Sequence, residues 1–355
     1  MTNRACSFLV PGDLNTRTGG YTYDRHIVDG LRAQHWQVEV ETLDEGYPAP
    51  DATALAQAGR IVDALPDRTL AVVDGLAFGV LPELAQRHAR RLDWIALVHH
   101  PLSLETGLDE ARQRELFESE RRALASARGV IVTSPATARA LAAFGVDAAR
   151  IAVVEPGTDP APLATWSGGG TLSLLCVATV TPRKGHVLLV EALAGLRDRQ
   201  WTLHCAGSLT MDAACAGALM AAIERHGLQG RVVLHGELDE AGLQPLYGQA
   251  DAFVLPSFHE GYGMALAEAL AHGLPVISTT AGAIADTVPA DAGMLVPPGD
   301  SVALRAALQR LLDDPAWRAQ RAAGARMARG QQPTWPMSAA RFAAALAAFR
   351  QGAAA

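Results

Sequence analysis

Short apolar runs rich in Val, Ile and Leu alternate along the chain with longer segments whose apolar residues recur at helical spacing. Such runs, bounded by turn residues, are what strands buried on both faces look like, and the alternation argues for βαβ units in parallel sheets. In the first half the pattern predicts strands at 6–10, 37–43, 70–75, 94–100 and 130–134. Helices are predicted at about 21–34, 52–65, 82–91, 108–127 and 135–144. Residues 155–171 (EPGTDPAPLATWSGGGT) contain four glycines and three prolines and no period, which reads as a linker. A second alternation follows, with strands at 172–178, 201–207, 231–236, 252–256, 275–279 and 294–298. Its helices fall at 186–197, 212–227, 239–249, 263–272, 301–313 and 315–329, and a last helix spans 334–350 behind a proline.

The expected fold is therefore α/β, with two doubly wound, Rossmann-like domains at 1–160 and 170–332. The last helix (336–350) is long enough to cross back to the first domain. Ligands of such sheets bind outside the carboxyl ends of the strands, so a cleft between the domains is the default site.

Composition narrows the function classes. The 355 residues are 49% apolar and 19% charged, which excludes whole-chain disorder. A net charge of −7 is the wrong sign for a generic nucleic-acid binder, so any phosphate contact comes from a local site. Cys6, Cys176, Cys205 and Cys215 form no CxxC pair and read as isolated thiols of a reducing compartment, the cytoplasm. No apolar run is long enough to span a bilayer, and the one at 6–10 is too short for a signal peptide. The 108–127 segment carries five acids and four arginines, so it shows no polybasic face; peripheral membrane contact is possible but not indicated.

Four segments could carry chemistry. In PSFHEGYGMALAEALAHGLPVIST (256–279) a strand ends, a polar loop carries Glu260, and Gly261 and Gly263 open an apolar helix bearing Glu268. Glycines at a helix start let a ligand approach backbone N–H groups that favour phosphate or hydroxyl oxygens. If all eight steps were helical, the two carboxylates would sit about 12 Å apart along the axis. That is too far to act on one bond as a glycosidase pair and suits an extended ligand held at two points. In VATVTPRKGH (177–186), Arg183 and Lys184 join a planar fork to a compact charge and could hold a diphosphate. The glycine-rich loop GDLNTRTGGYTYDRH (12–26) places Gly19 and Gly20 between strand and helix and matches neither Walker nor GxGxxG spacing. In LVHHPL (97–102), neighbouring strand residues point to opposite faces, so His99 and His100 cannot easily share one metal ion.

Together these segments resemble the retaining glycosyltransferases of family 4, of GT-B fold, whose E-x7-E signature is similar to Glu260 and Glu268. The resemblance spans nearly the whole chain. It implies sugar transfer from a UDP- or GDP-linked donor to a small-molecule or glycan acceptor with retention at the anomeric carbon. It further implies that Glu260 holds hydroxyls of the donor sugar, Glu268 the nucleotide ribose, and Arg183 with Lys184 the diphosphate. Backbone amides of Gly261, Tyr262, Gly263 and Met264, with Gly19 and Gly20, would complete the cradle. Leu238 would lie by the base, and His99, with His100 as the fallback, by the transferred sugar. The first domain would take the acceptor and the second the donor.

The leaving phosphate oxygen can take the acceptor's proton, so no protein nucleophile is required. No Asp-x-Asp is present, and no metal or other cofactor is expected. The segment after the signature, TTAGAIADTVP, departs from the family pattern at Gly282-Ala283 and Asp286. The absence of GxGxxG after the first strand argues against a nicotinamide or flavin dehydrogenase. A nucleotide-sugar epimerase or hydrolase, and a non-catalytic binding protein of the same shape, remain as alternatives.

Overall fold

The computed structural model describes residues 4–351. The chain divides into two compact units, Met1–Gly157 with Pro333–Ala355, and Thr158–Gln332.

The first unit holds a six-stranded, all-parallel sheet: β1 (Ala5–Pro11), β2 (Gln37–Leu43), β3 (Leu70–Asp74), β4 (Asp93–Val98), β5 (Gly129–Val132) and β6 (Ile151–Val153). Its order is β2-β1-β3-β4-β5-β6. The helices are α1 (Gly19–Ala33), α2 (Ala52–Ala64), α3 (Gly75–Phe78), α4 (Pro82–His88), α5 (Glu110–Ala125) and α6 (Pro135–Ala140). Strands β3, β4 and β5 are buried at every position, as expected of inner parallel strands, while edge strand β2 buries Val38 and Leu43 between exposed residues.

The second unit repeats the plan with β7 (Leu172–Val177), β8 (Trp201–Ala206), β9 (Val232–Gly236), β10 (Ala252–Leu255), β11 (Val276–Thr279) and β12 (Gly293–Val296). The helices are α7 (His186–Ala194), α8 (Ala213–Arg225), α9 (Glu240–Gln249), α10 (Met264–Ala271), α11 (Ile284–Thr287), α12 (Ser301–Asp313) and α13 (Pro315–Ala328). The order is β12-β11-β10-β7-β8-β9, again all parallel. Read outward from β7, this is the 3-2-1-4-5-6 order of dinucleotide-binding folds. The last helix, α14 (Trp335–Gln351), returns to the first unit and packs along α1. There Trp335 stacks on His26 at 4.0 Å, Phe342 meets Phe8 at 6.3 Å, and Gly30 leaves no room for a Cβ beside Ala339.

Most helices start on a capping side chain. Asp51, Asp109, Ser134, Asp212, Asp239, Asp300 and Asp314 each accept an N–H from the following turn. Helices α7 and α10 begin instead on left-handed glycines, Gly185 (φ 71°) and Gly263 (φ 92°), with no side-chain cap.

Several sequence expectations are corrected. Strand β4 ends at Val98, so His99 and His100 lie beyond it. Gly19 and Gly20 belong to the first turn of α1 and not to the loop ahead of it. Helix α10 starts at Met264, which leaves Glu260 in the loop and breaks the continuous helical spacing to Glu268. The 135–144 helix is α6 followed by a 3-10 turn, Leu141–Phe144. The period missed β6, α3 and α11, each of three or four residues and too short to show one. The 155–171 stretch forms neither helix nor strand, yet it is held against the second unit. Ala164 N donates to His272 O at 2.9 Å and Thr165 N to Gly248 O at 2.9 Å.

Candidate functional site

In the second unit the strand order reverses between β7 and β10, and the loops leaving these two neighbours carry the charged cluster. Arg183 and Lys184 sit in a 3-10 turn, Pro182–Lys184, immediately before the Gly185 cap of α7. A Cβ on Gly185 would run into the Pro256 carbonyl, so glycine lets this turn close on the loop after β10. Phe258 N donates to Arg183 O at 2.7 Å, which ties the two loops together.

Glu260 is the hub. It is 6% exposed. Lys184 Nζ donates to its Oε1 at 2.6 Å, and Ser257 Oγ donates to the same oxygen at 2.6 Å. The Arg183 guanidinium lies 3.6 Å from Oε2 and donates to the His259 carbonyl at 2.8 Å. Burial alone would raise the Glu260 pKa, but Lys184 and Arg183 overcome it and hold the carboxyl below its usual range. Burial lowers the Lys184 pKa, with Glu260 resisting and Arg183 adding to the fall. Two cations against one carboxylate leave a net positive cluster, which an arriving anion would stabilise. The backbone of Glu260 is fixed from behind, where Ala283 N donates to its carbonyl at 2.9 Å. Gly282 (φ 61°) has no space for a Cβ against that same carbonyl. The Gly282-Ala283 segment, a departure in the sequence, is thus what supports Glu260.

Gly261 and Tyr262 are half-buried in the loop, and Thr287 Oγ1 donates to the Tyr262 carbonyl at 2.6 Å. Gly263 and Met264 follow at the start of α10. Glu268 lies farther along α10 and accepts from the Tyr247 hydroxyl at 3.0 Å. Burial pushes its pKa up to about 7, the Tyr247 bond opposing the rise. Leu238 is half-buried in the turn after edge strand β9, beside Gly242.

The first unit has its own reversal, between β1 and β3. His99 lies just past β4, the neighbour of β3 on the far side from β1, and is 20% exposed. Its Nε2 is 3.2 Å from Asp24 Oδ1 and 3.4 Å from Asp74 Oδ2. Asp24, on α1, is wholly buried; Asp74 ends β3 and caps α3 by accepting Leu76 N at 2.7 Å. Tyr23 presents an edge to the imidazole at 5.4 Å, and a Cβ on Gly20 would stand 3.6 Å from it. Gly19 is exposed beside Gly20. His100 is turned to Glu105, Nε2 to Oε2 at 3.2 Å.

The sequence reading missed Asp24, Asp74, Ser257 and Tyr247. Asp24 left a trace: it precedes Ile27, Val28 and Leu31 by three, four and seven residues, which puts an acid on the apolar face of α1. Asp24, Asp74 and His99 present ligand-type atoms within 4.8 Å of one another. Two carboxylates on one imidazole nitrogen also favour the protonated ring, so the three groups can share a proton.

Comparison with known proteins adds to this geometry. A family profile described as "Glycosyl transferases group 1" matches residues 171–314, and one described as "Glycosyltransferase Family 4" matches residues 73–162. An MMP α-(1→4)-mannosyltransferase of Mycolicibacterium hassiacum is 27% identical over 77% of this chain and 69% of its own length. A D-inositol 3-phosphate glycosyltransferase of Pseudarthrobacter chlorophenolicus is 30% identical over 67% of this chain and 60% of its own. Other curated relatives, such as the Mycobacterium tuberculosis glycogen synthase, are spanned over about half their length (45%). Among solved structures, a sucrose-phosphate synthase from Thermosynechococcus elongatus superposes with a TM-score of 0.81 at 24% identity, covering 98% of this chain and 99% of that one. Anabaena HepE, solved with UDP and glucose, superposes with a TM-score of 0.74 at 21% identity, covering 96% and 99%.

Proposed function

Because the chain belongs to the family 4 glycosyltransferases, we propose that it transfers a sugar from a UDP- or GDP-linked donor to a small-molecule or glycan acceptor, with retention at the anomeric carbon. The observation that carries this reading is the convergence of Arg183, Lys184 and Glu260 at the strand reversal of the second unit. In this reading the second unit takes the donor and the first the acceptor. The donor diphosphate lies against Arg183 and Lys184, which neutralise the charge that grows as the sugar–phosphate bond breaks. Freed in part from Lys184, Glu260 accepts hydrogen bonds from the sugar. Glu268 accepts from the ribose, and the amides from Gly261 to Met264 add donors at the start of α10. The leaving phosphate oxygen takes the acceptor's proton on the face it vacates. The cations of the protein supply the charge, so no metal ion is needed. Support for sugar transfer also comes from the relatives' names, and for a nucleotide-linked donor from the UDP in the Anabaena structure.

A thermal-shift panel of UDP, GDP, ADP and TDP with their sugars tests the reading, since a ligand of the folded state alone raises the melting point. One base family is expected to stabilise the protein by several degrees, and Arg183→Ala with Lys184→Ala to abolish the shift. Turnover of that donor is expected to persist in excess EDTA. An undiminished shift in the double variant refutes the diphosphate grip, and loss of turnover on chelation refutes the metal-free reading.

A further inference from the structure

Glycosyl transfer as proposed gives no role to one buried pair, the two aspartates behind His99. One carboxylate on a histidine makes a dyad, in which the neutral ring donates one N–H to the acid and offers its other nitrogen as a base. A second carboxylate changes the balance, because two anions now favour the doubly protonated ring. Here both acids approach the same nitrogen. Asp24 Oδ1 stands 3.2 Å and Asp74 Oδ2 3.4 Å from Nε2, with carboxylates that are 0% and 3% exposed. Neither Asp24 oxygen has an aligned hydrogen-bond partner, so His99 is its nearby countercharge. Nε2 is itself buried, so the ring's remaining exposure lies away from it.

Resting on the transferase reading above, we infer that Asp24 and Asp74 are positioning residues that hold His99 as an imidazolium. His99 then serves as a hydrogen-bond donor to a sugar oxygen through Nδ1, and not as a base toward the acceptor. The groups packed on the ring agree. From α1 come Asp24, the Tyr23 edge and the Gly20 backbone; from the end of β3 comes Asp74; from the segment after β5 Thr133 Oγ1 and from α6 Thr137 Oγ1 donate to the His99 carbonyl. The Tyr21 hydroxyl, raised by burial and then by Asp74, Asp24 and Glu45, stays a neutral phenol that donates to the Pro11 carbonyl. Burial would lower the His99 pKa, yet the two aspartates outweigh it and raise it to about 10; burial also lifts Asp24 to about 7, with His99 opposing and Asp74 adding to the rise, so the Asp24 carboxylate faces the imidazolium fully only above that pH.

The test is a 15N NMR titration of the imidazoles in the full chain, with His99 assigned through His99→Gln, alongside the pH profile of kcat. In the wild type both His99 nitrogens are expected to remain protonated from pH 6 to 9, with no alkaline fall in kcat up to pH 9. Asp74→Asn and Asp24→Asn should each lower the His99 midpoint by a pH unit or more. Each should also bring an alkaline fall in kcat into the range 7–9, which a purely structural role would not do. A wild-type ring singly protonated at pH 7, a midpoint unmoved in both variants, or displacement of the Nε2 proton by Zn²⁺ or Mn²⁺ overturns the inference. If an Asn variant fails to fold by circular dichroism, the wild-type titration decides alone. The titration needs no turnover, so absence of transfer activity would refute the transferase reading while this result stands separately.

Discussion

Glu268 illustrates how far a side chain's ionisation is set by its surroundings. A carboxyl on α10 would titrate near 4.5 if solvated, but burial lifts it to about 7, with the Tyr247 hydroxyl pulling the other way. In the proposed role only the carboxylate can accept from both ribose hydroxyls, so affinity for the nucleotide should fall as pH drops through about 7. Calorimetric titration of the preferred nucleotide between pH 5.5 and 8.5 is expected to show several-fold weaker binding at the acid end. Tyr247→Phe removes the opposing bond and should move the midpoint upward; Glu268→Gln should bind weakly and without this pH dependence. Binding that is flat with pH in the wild type would remove Glu268 from the ribose. Glu268, Glu260, Arg183 and Lys184 were all legible as residues. Their charge states were not, because burial and partners from distant segments set them.

Among the elements, the loops after β7 and β10 show what glycine is for. Gly185 and Gly145 are both left-handed, at φ 71° and 73°, so each loses about 1–2 kcal/mol on substitution by alanine from backbone strain. They differ in surroundings: nothing lies within 4 Å of a Cβ on Gly145, while one on Gly185 meets the Pro256 carbonyl. Gly145→Ala is expected to lower stability by about 1 kcal/mol and leave nucleotide binding alone. Gly185→Ala should cost more than that and weaken nucleotide binding at least tenfold, because Pro256 must shift and Glu260 follows four residues on. Urea denaturation together with nucleotide titration separates the two effects; equal costs and unchanged binding would show that the close approach has no role. At this scale the sequence read well. Helix α12 and strand β2 fall where the period put them, since a buried face repeats every 3.6 or every two residues regardless of the rest of the chain. It read poorly for three-residue β6 and the four-residue helices, where no period can accumulate.

Among the described residues each unit carries an apolar core cluster, and in the first unit α14, which follows the second unit along the chain, packs along α1. Phe342 on α14 is wholly buried and meets Phe8 of β1. Phe342→Ala should cost about 3–5 kcal/mol. In differential scanning calorimetry this should lower the melting of the first unit by roughly 10 °C. Nucleotide is expected to raise only the transition of the second unit. A single transition lowered as one, with or without nucleotide, would show that the two cores do not unfold separately.

The amino-acid sequence by itself determined the order of the longer strands and helices, the two-fold repetition of the α/β plan, and the short motifs around Arg183, Glu260 and His99. Each of these is a matter of local period or of residues adjacent along the chain, and local steric and hydrophobic forces suffice to specify them. Tertiary structure alone decided that Lys184 grips a carboxylate 76 residues away, that Gly282 supports it from behind, and that Asp24 and Asp74 meet on one nitrogen of His99. These contacts join segments whose separation carries no pattern, and removal from water is what makes the resulting charges matter.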